Sequence, residues 1–275
     1  MRIGTISDLH IDRNEDMLKR GESFAQLVAE VLREKRVDRL LMAGDISNHY
    51  LTTHTFIEEV SFLSGVPVHF VPGNHDYWAR DHEVTDTNTI DAFFNQKTYS
   101  LVNNPVLLTN EWTLVGSPGW YDYGYGNHDR YSIEQFDRKQ YGFASWNDKH
   151  YVNWGEPDQV ISHKMLNQLR QDLKSVGRRK VILMTHVATH PEFVMPLPHR
   201  VYDYANAFLG AQSYESLYEE FKTIEYSIIG HVHMRKILQE KERTFITACL
   251  GSHKHWKKFD VKNQLTKSLV TFDIN

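Results

Sequence analysis

The chain has 275 residues, 41% of them hydrophobic and 24% charged, the balance of a soluble globular fold rather than a disordered or fibrous one. Its formal net charge of −4, from 31 Lys and Arg against 35 Asp and Glu, argues against a broad basic footprint and so against long nucleic acid as a partner. No apolar run approaches the roughly 20 residues of a membrane span, and the N-terminal MRIGTISDLH lacks the apolar core of a secretory signal, so the expected location is cytoplasmic.

In chain order, RIGTIS predicts a buried strand at 2–7, SFAQLVAEVLREK a helix at 23–35 and RLLMAG a second strand at 39–44. An amphipathic stretch at 52–63 precedes a third strand, VPVHFV, at 66–71. A hairpin of alternating strands is expected at 106–117, then a helix near 159–176 and a strand, KVILMT, at 180–185. A helix near 213–223, a strand at 226–230 and a second hairpin at 235–252 complete the series. Alternation of this kind implies parallel strands with crossover helices, and the hairpins make the sheets mixed. The expected fold is an α/β sandwich of two packed sheets flanked by helices, forming one domain over 1–275. Between Ser117 and Pro157 the periodicity fades and eleven aromatic residues crowd together. This segment reads as an ordered insertion, chiefly a satellite cluster held by its own aromatics. It is also placed to act as a lid, with Trp120, Tyr121 and Tyr123 stacking against a substrate ring.

The residues just past each strand carry the chemistry. RIGTIS runs into Asp8-Leu9-His10, RLLMAG into Asp45, and VPVHFVP into Gly73-Asn74-His75-Asp76. KVILMT runs into His186, and YSIIG into His231-Val232-His233. Carboxyl ends of parallel strands share one edge, so these residues are expected to converge. In Asp-x-His and His-x-His an extended backbone would aim both side chains to one side. Gly44 and Gly73 serve as turn glycines and let backbone approach a metal. Carboxylate, amide and imidazole without sulfur suit Mn, Fe, Zn or Ni. The lone Cys249, in the apolar run FITACLG, reads as a buried thiol and builds neither a disulfide nor a thiolate metal site.

These five motifs, in this order from Asp8 to His233, resemble the calcineurin-like metallophosphoesterase family. The resemblance implies a four-layer pair of mixed sheets with helices outside and two metal ions at the strand ends. By the same resemblance Asp8, His10, Asp45 and His233 would hold one ion. Asp45, Asn74, His186 and His231 would hold the other, with Asp45 bridging. It further implies hydrolysis of a small phosphomonoester or phosphodiester, nucleotides included, by a metal-bridging hydroxide. His75 would touch the phosphoryl group or protonate the leaving oxygen, and Asn74 and His75 would face substrate. A nuclease or nucleotide pyrophosphatase is the alternative, and a non-catalytic scaffold the third option.

The protein phosphatases of the wider family show G-D-x-x-D-R-G after the second strand. Here the stretch is Gly44-Asp45-Ile46-Ser47-Asn48-His49. Asn48 stands where an Asp would orient the catalytic histidine and His49 where an Arg would, which disfavours that branch and leaves open what tunes His75. His190, four residues past His186, is a candidate substrate contact. His199 and Arg200 are weaker ones. The second GNHD, at 126–129, has no buried strand in front of it and reads as a turn, with His128 a minor candidate to meet substrate. The SHKHWKK stretch at 252–258 reads as a solvated turn anchored by Trp256; His54 and His82 carry no functional claim, and His69, within a strand, reads as core or edge.

Overall fold

A computed structural model of the chain describes residues 1–78, 86–256 and 260–275. In chain order its strands are β1 (Arg2–Ile6), β2 (Arg39–Met42), β3 (Val68–Phe70), β4 (Val106–Leu107), β5 (Trp112–Ser117) and β6 (Gln140–Tyr141). They continue with β7 (Ala144–Ser145), β8 (Lys180–Thr185), β9 (Ile224–Ile229), β10 (Arg235–Glu240), β11 (Arg243–Ala248) and β12 (Val270–Asp273). One sheet has the order β12-β1-β2-β3, parallel except for β12. The other has the order β10-β11-β9-β8-β5-β4, with a parallel centre and antiparallel edges at β10 and β4. The short pair β6 and β7 lies apart, inside the aromatic segment.

The sheets stack through apolar inner faces. Ile3, Leu41 and Val71 meet Leu114, Ile182, Met184, Ile228 and Ile246 in one buried cluster. The helix Phe24–Glu34 covers the first sheet with Phe24, Leu27, Val28, Val31 and Leu32, which recur at the spacing of one helical face. The Ser23 side chain accepts from the Gln26 N–H and caps its start, worth about 1 kcal/mol. The helix Asp158–Ser175 covers the second sheet through Leu166, Leu169 and Leu173. The layers are helix, sheet, sheet and helix, as the patterning predicts.

The helix expected near 213–223 is shorter, a 3₁₀ turn at Gln212–Glu215 and a helix at Ser216–Glu220, because Phe221 is extended and leads into β9. The aromatic segment requires a larger correction. Trp120, Tyr121 and Tyr123 are fully buried and share a core cluster with Phe70 and Phe94, so they form no satellite and cannot stack on a substrate. Buried carboxylates take their polar tips: Trp120 donates to Asp158 at 2.7 Å, and the Tyr123 hydroxyl also donates to Asp158. His82 lies outside the described residues, as do Lys257 and Lys258 of the 252–258 stretch; Trp256 is buried and donates to the Leu250 carbonyl, as an anchor should.

Register sets the functional edge. Ile6 pairs with Met42, Met42 with Phe70, and Thr185 with Ile229, so five strands end level with one another within their sheets. A parallel bridge between Ser7 and Cys249 joins the two halves there.

Candidate metal centre

The residues after these strand ends meet. Donor atoms of Asp8, His10, Asp45 and His233 lie within 4.8 Å of one another, and so do those of Asp45, His186 and His231. All except His233 are buried. The route is not the extended one. Asp8 (φ 53°), His10 (φ 42°), Asp45 (φ 57°), His231 (φ 67°) and His233 (φ 49°) are all left-handed. A non-glycine residue held there costs about 1–3 kcal/mol, and such strain concentrates at functional sites. β1, β2 and β9 are thus bent at their ends so that their ligand atoms turn inward, whereas Asn74 after β3 keeps a right-handed φ of −61°.

Glycines make the approach possible. A Cβ on Gly73 would lie 2.2 Å from Asp45 Oδ1 and 2.6 Å from His186 Cε1, so no larger residue fits. Asp76 staples the same loops. Its carboxylate accepts from the N–H groups of Gly73 (2.8 Å), Asp45 (2.7 Å) and Ile46 (3.0 Å) and from the Thr53 hydroxyl (2.7 Å). Burial pushes its pKa up to about 6 against those hydrogen bonds.

One half of the cluster has no hydrogen-bond donor aimed into it. His186 Nδ1 lies 2.8 Å from the Ala43 carbonyl, which can only accept, so Nδ1 carries the proton and Nε2 a lone pair. His231 Nε2 faces the Phe208 carbonyl at 3.0 Å, which leaves the lone pair on Nδ1. Asn74 Nδ2 donates to Asp148 at 2.8 Å, which turns Oδ1 inward. His186 Nε2 therefore sits 3.1 Å from Asn74 Oδ1, 3.1 Å from His231 Nδ1 and 3.4 Å from Asp45 Oδ1, acceptor against acceptor. Such an arrangement repels itself unless a cation sits among the lone pairs, and the donor set fits a divalent metal.

In the other half, His10 Nε2 is 3.0 Å from His233 Nε2 and 3.8 Å from Asp45 Oδ2, while His233 Nε2 is 3.5 Å from Asp8 Oδ1. Burial, with Asp8 and Asp76 beside it, pushes the Asp45 carboxyl well above the usual range. Asp8 is held below that range because His233, His186 and His10 outweigh its burial. The two oxygens of Asp45 face different halves, so this carboxylate belongs to both groups.

His75 is oriented from outside. Its Nδ1 lies 2.6 Å from Asn48 Oδ1, and its N–H donates to Asp45 Oδ1 at 2.8 Å. The amide oxygen accepts the Nδ1 proton, so Nε2 faces Asp45 Oδ2, 3.9 Å away. Asn48 thus fixes the tautomer that an Asp would fix, without a negative charge to favour imidazolium. Burial, His10 and Arg13 together hold the His75 pKa well below its ordinary value.

Sequence reasoning misses Arg13, Trp78, Trp146 and Asp148. Arg13 Nη2 is 3.3 Å from His75 Nδ1 and its guanidinium lies over the Trp78 ring, with no carboxylate partner among the described residues. The Trp78 ring packs 3.8 Å from His75. The fully buried Asp148 accepts from Asn74 (2.8 Å), Trp78 (2.7 Å) and Trp146 (2.8 Å). Trp146 stacks on Phe208 and comes within 5.9 Å of the His231 ring. The tertiary fold alone brings these residues in; the one local signal is the aromatic density around 146–154.

His190 is not on the substrate side, where its sequence position suggests. Its Nδ1 accepts from the Glu192 N–H, and its Nε2 is 3.0 Å from Glu240. Glu240 pairs with Arg243, at the opposite end of β11 from Ala248 and the cluster. With both nitrogens committed and its ring against Phe245, His190 does not face the site. His199 Nδ1 likewise accepts the N–H groups of Val201 and Tyr202. In the second GNHD the Asn127 side chain accepts from the Asp129 N–H, and His128 Nε2 contacts the Tyr123 carbonyl, which makes it a turn.

Comparison with known proteins agrees with this geometry. The sequence pattern of the calcineurin-like phosphoesterase family matches residues 1–235. The chain belongs to that family. It is thereby a phosphoester hydrolase whose Asp and His cluster is compatible with a metal site. A probable cyclic nucleotide phosphodiesterase of Fibrobacter succinogenes is 21% identical over 247 residues, covering 89% of this chain and 77% of the relative. Among solved structures, a phosphopantetheinyl hydrolase from Mycobacterium tuberculosis superposes with a TM-score of 0.71 at 17% identity, covering 98% of this chain and 95% of that one. A dimetal phosphatase from Danio rerio gives 0.52 at 15% identity, covering 90% and 86%. At these identities the structures speak to the fold. No helix among the described residues is long and apolar enough to cross a membrane.

Proposed function

We propose that the chain is a two-metal phosphoesterase of small phosphorylated molecules, with cyclic or linear nucleotides among the substrates to test first. The observation that supports it most is the convergence of His186 Nε2, His231 Nδ1, Asn74 Oδ1 and Asp45 Oδ1 with no donor between them. Asp8, His10, Asp45 and His233 would hold one ion and Asp45, Asn74, His186 and His231 the other. Bound there, two divalent ions would act as Lewis acids on the phosphoryl oxygens and lower the pKa of water. Mn, Fe and Zn suit the all-nitrogen-and-oxygen set. The chain's own residues do the rest. Asp45 ties the two halves together through its two oxygens. His75, with Nδ1 committed to Asn48, presents Nε2 to take up a proton and deliver it to the leaving oxygen. Arg13 supplies N–H donors to the free phosphoryl oxygens, and Trp146 with the 117–157 segment walls the site from water. The buried Cys249 thiol fits a reducing, cytoplasmic setting.

The test is Asp45→Asn assayed with Mn on a panel of phosphomonoesters, phosphodiesters and nucleotides. A loss of at least about 10³-fold in kcat with unchanged circular dichroism is expected. Near-normal turnover in that variant contradicts the assignment.

A further inference from the structure

A cavity of about 350 Å³ opens beside the cluster, with His233 in its wall. Arg235, Ser252, His255, Trp256 and Lys267 also line it, and no Asp or Glu does among the described residues. In a chain of net charge −4 such a lining is a local reversal of sign. Arg235 gives Nε to the Cys249 carbonyl at 2.9 Å and Nη2 to the Leu250 carbonyl at 3.1 Å and to Gln264 at 3.2 Å. It has no carboxylate partner among the described residues. Arg235 is exposed at this wall, and its guanidinium, held by neutral oxygens, keeps its positive charge uncompensated beside the cavity. Lys267, exposed on the rim, has no ion-pair partner among the described residues either. The buried faces of Leu250 and Trp256 give the same cavity an apolar wall suited to carbon.

We infer that this cavity receives a second anionic group of the substrate, a phosphate carried several bonds from the ester that the cluster cleaves. The substrate class is then a small bis-anionic phosphoester rather than a simple monophosphate. This inference rests on the phosphoesterase reading of the adjacent cluster.

Two experiments test it. Calorimetric titration of pyrophosphate into metal-stripped protein is expected to show saturable binding that Lys267→Glu weakens at least tenfold. No binding, or binding indifferent to that substitution, overturns the inference. The Mn-loaded protein is expected to prefer adenosine 3′,5′-bisphosphate over adenosine 5′-monophosphate at least tenfold in kcat/KM, mostly through KM, with the preference collapsing in K267E. Equal kcat/KM for the two, both being turned over, also overturns it. Failure to cleave any phosphoester sinks the phosphoesterase reading instead, and the titration then decides the cavity alone.

Discussion

Asp148→Asn is the most informative single change, because it alters one atom of a buried hub and leaves every proposed metal ligand in place. The Asp148 oxygens accept from Asn74 (2.8 Å) and Trp78 (2.7 Å) on one side and from Trp146 (2.8 Å) and, at 3.4 Å, Tyr121 on the other. An asparagine keeps one acceptor oxygen, so one pair of donors must meet an NH₂ group. The cheaper orientation retains Asn74 and Trp78 and sacrifices Trp146 with the long Tyr121 contact. A hydrogen bond to a charged group contributes about 1.5–3 kcal/mol, and stranding its buried donor adds more, so about 2–4 kcal/mol of stability should be lost. The two retained bonds also become neutral and weaker, which loosens the Asn74 amide facing His186. Loss of such an orienting partner typically weakens metal affinity about 10–100-fold. The assay is a Mn titration of bis(p-nitrophenyl) phosphate hydrolysis, with urea unfolding of the stripped protein alongside. A half-saturating Mn concentration within about twofold of wild type, together with the expected destabilisation, would refute the orienting role and leave Asp148 a core fixture.

Three further outcomes rest on the same geometry. Asn48→Leu removes the acceptor at 2.6 Å from His75 Nδ1 and should lower kcat about 10–100-fold with little change in KM, whereas Asn48→Asp should retain activity and shift the pH–rate profile upward as the carboxylate favours imidazolium. Arg13→Ala should raise KM for phosphoesters about tenfold, and an unchanged KM would remove Arg13 from substrate binding. Burial drives His69 down to about 4 with both ring nitrogens unpartnered among the described residues, so the unfolded chain, near 6.5, binds the extra proton. The stability from keeping it neutral is present above about pH 6.5 and lost as pH falls toward 4, roughly 2 kcal/mol by pH 5. Urea unfolding at pH 7 and pH 5 should show that much less pH dependence in His69→Phe, and parallel curves for the two proteins would contradict the argument.

The sandwich and the residues of the cluster are legible in the sequence because buried parallel strands read as apolar runs, and the polar residue after each run is the one the shared edge gathers. Asp8, Asp45, Asn74, His186 and His231 all stand out in that way. The reason they converge is not legible: left-handed φ values at Asp8, His10, Asp45, His231 and His233 replace the extended backbone that i, i+2 spacing suggests. Asp148, Trp146 and Arg13 end no strand and reach the cluster only through tertiary packing, so no spacing rule finds them. His190 shows the converse error, since nearness in sequence to His186 says nothing about the side a loop faces. In the aromatic segment, composition does not tell rings that build a core from rings that meet a ligand. The helix Val261–Ser268 and strand β12 are too short and polar at their ends to stand out.

The central claim is that this cluster holds two divalent ions and hydrolyses phosphoesters with them. Metal analysis joined to activity tests it most directly: strip the protein with chelator, add Mn back in known equivalents, and monitor bound metal and bis(p-nitrophenyl) phosphate hydrolysis together. Two ions bound per chain, with turnover emerging as the second is taken up, is the predicted result. A chain that retains and recruits no metal, or that binds two ions and cleaves no phosphoester of any class, would contradict it.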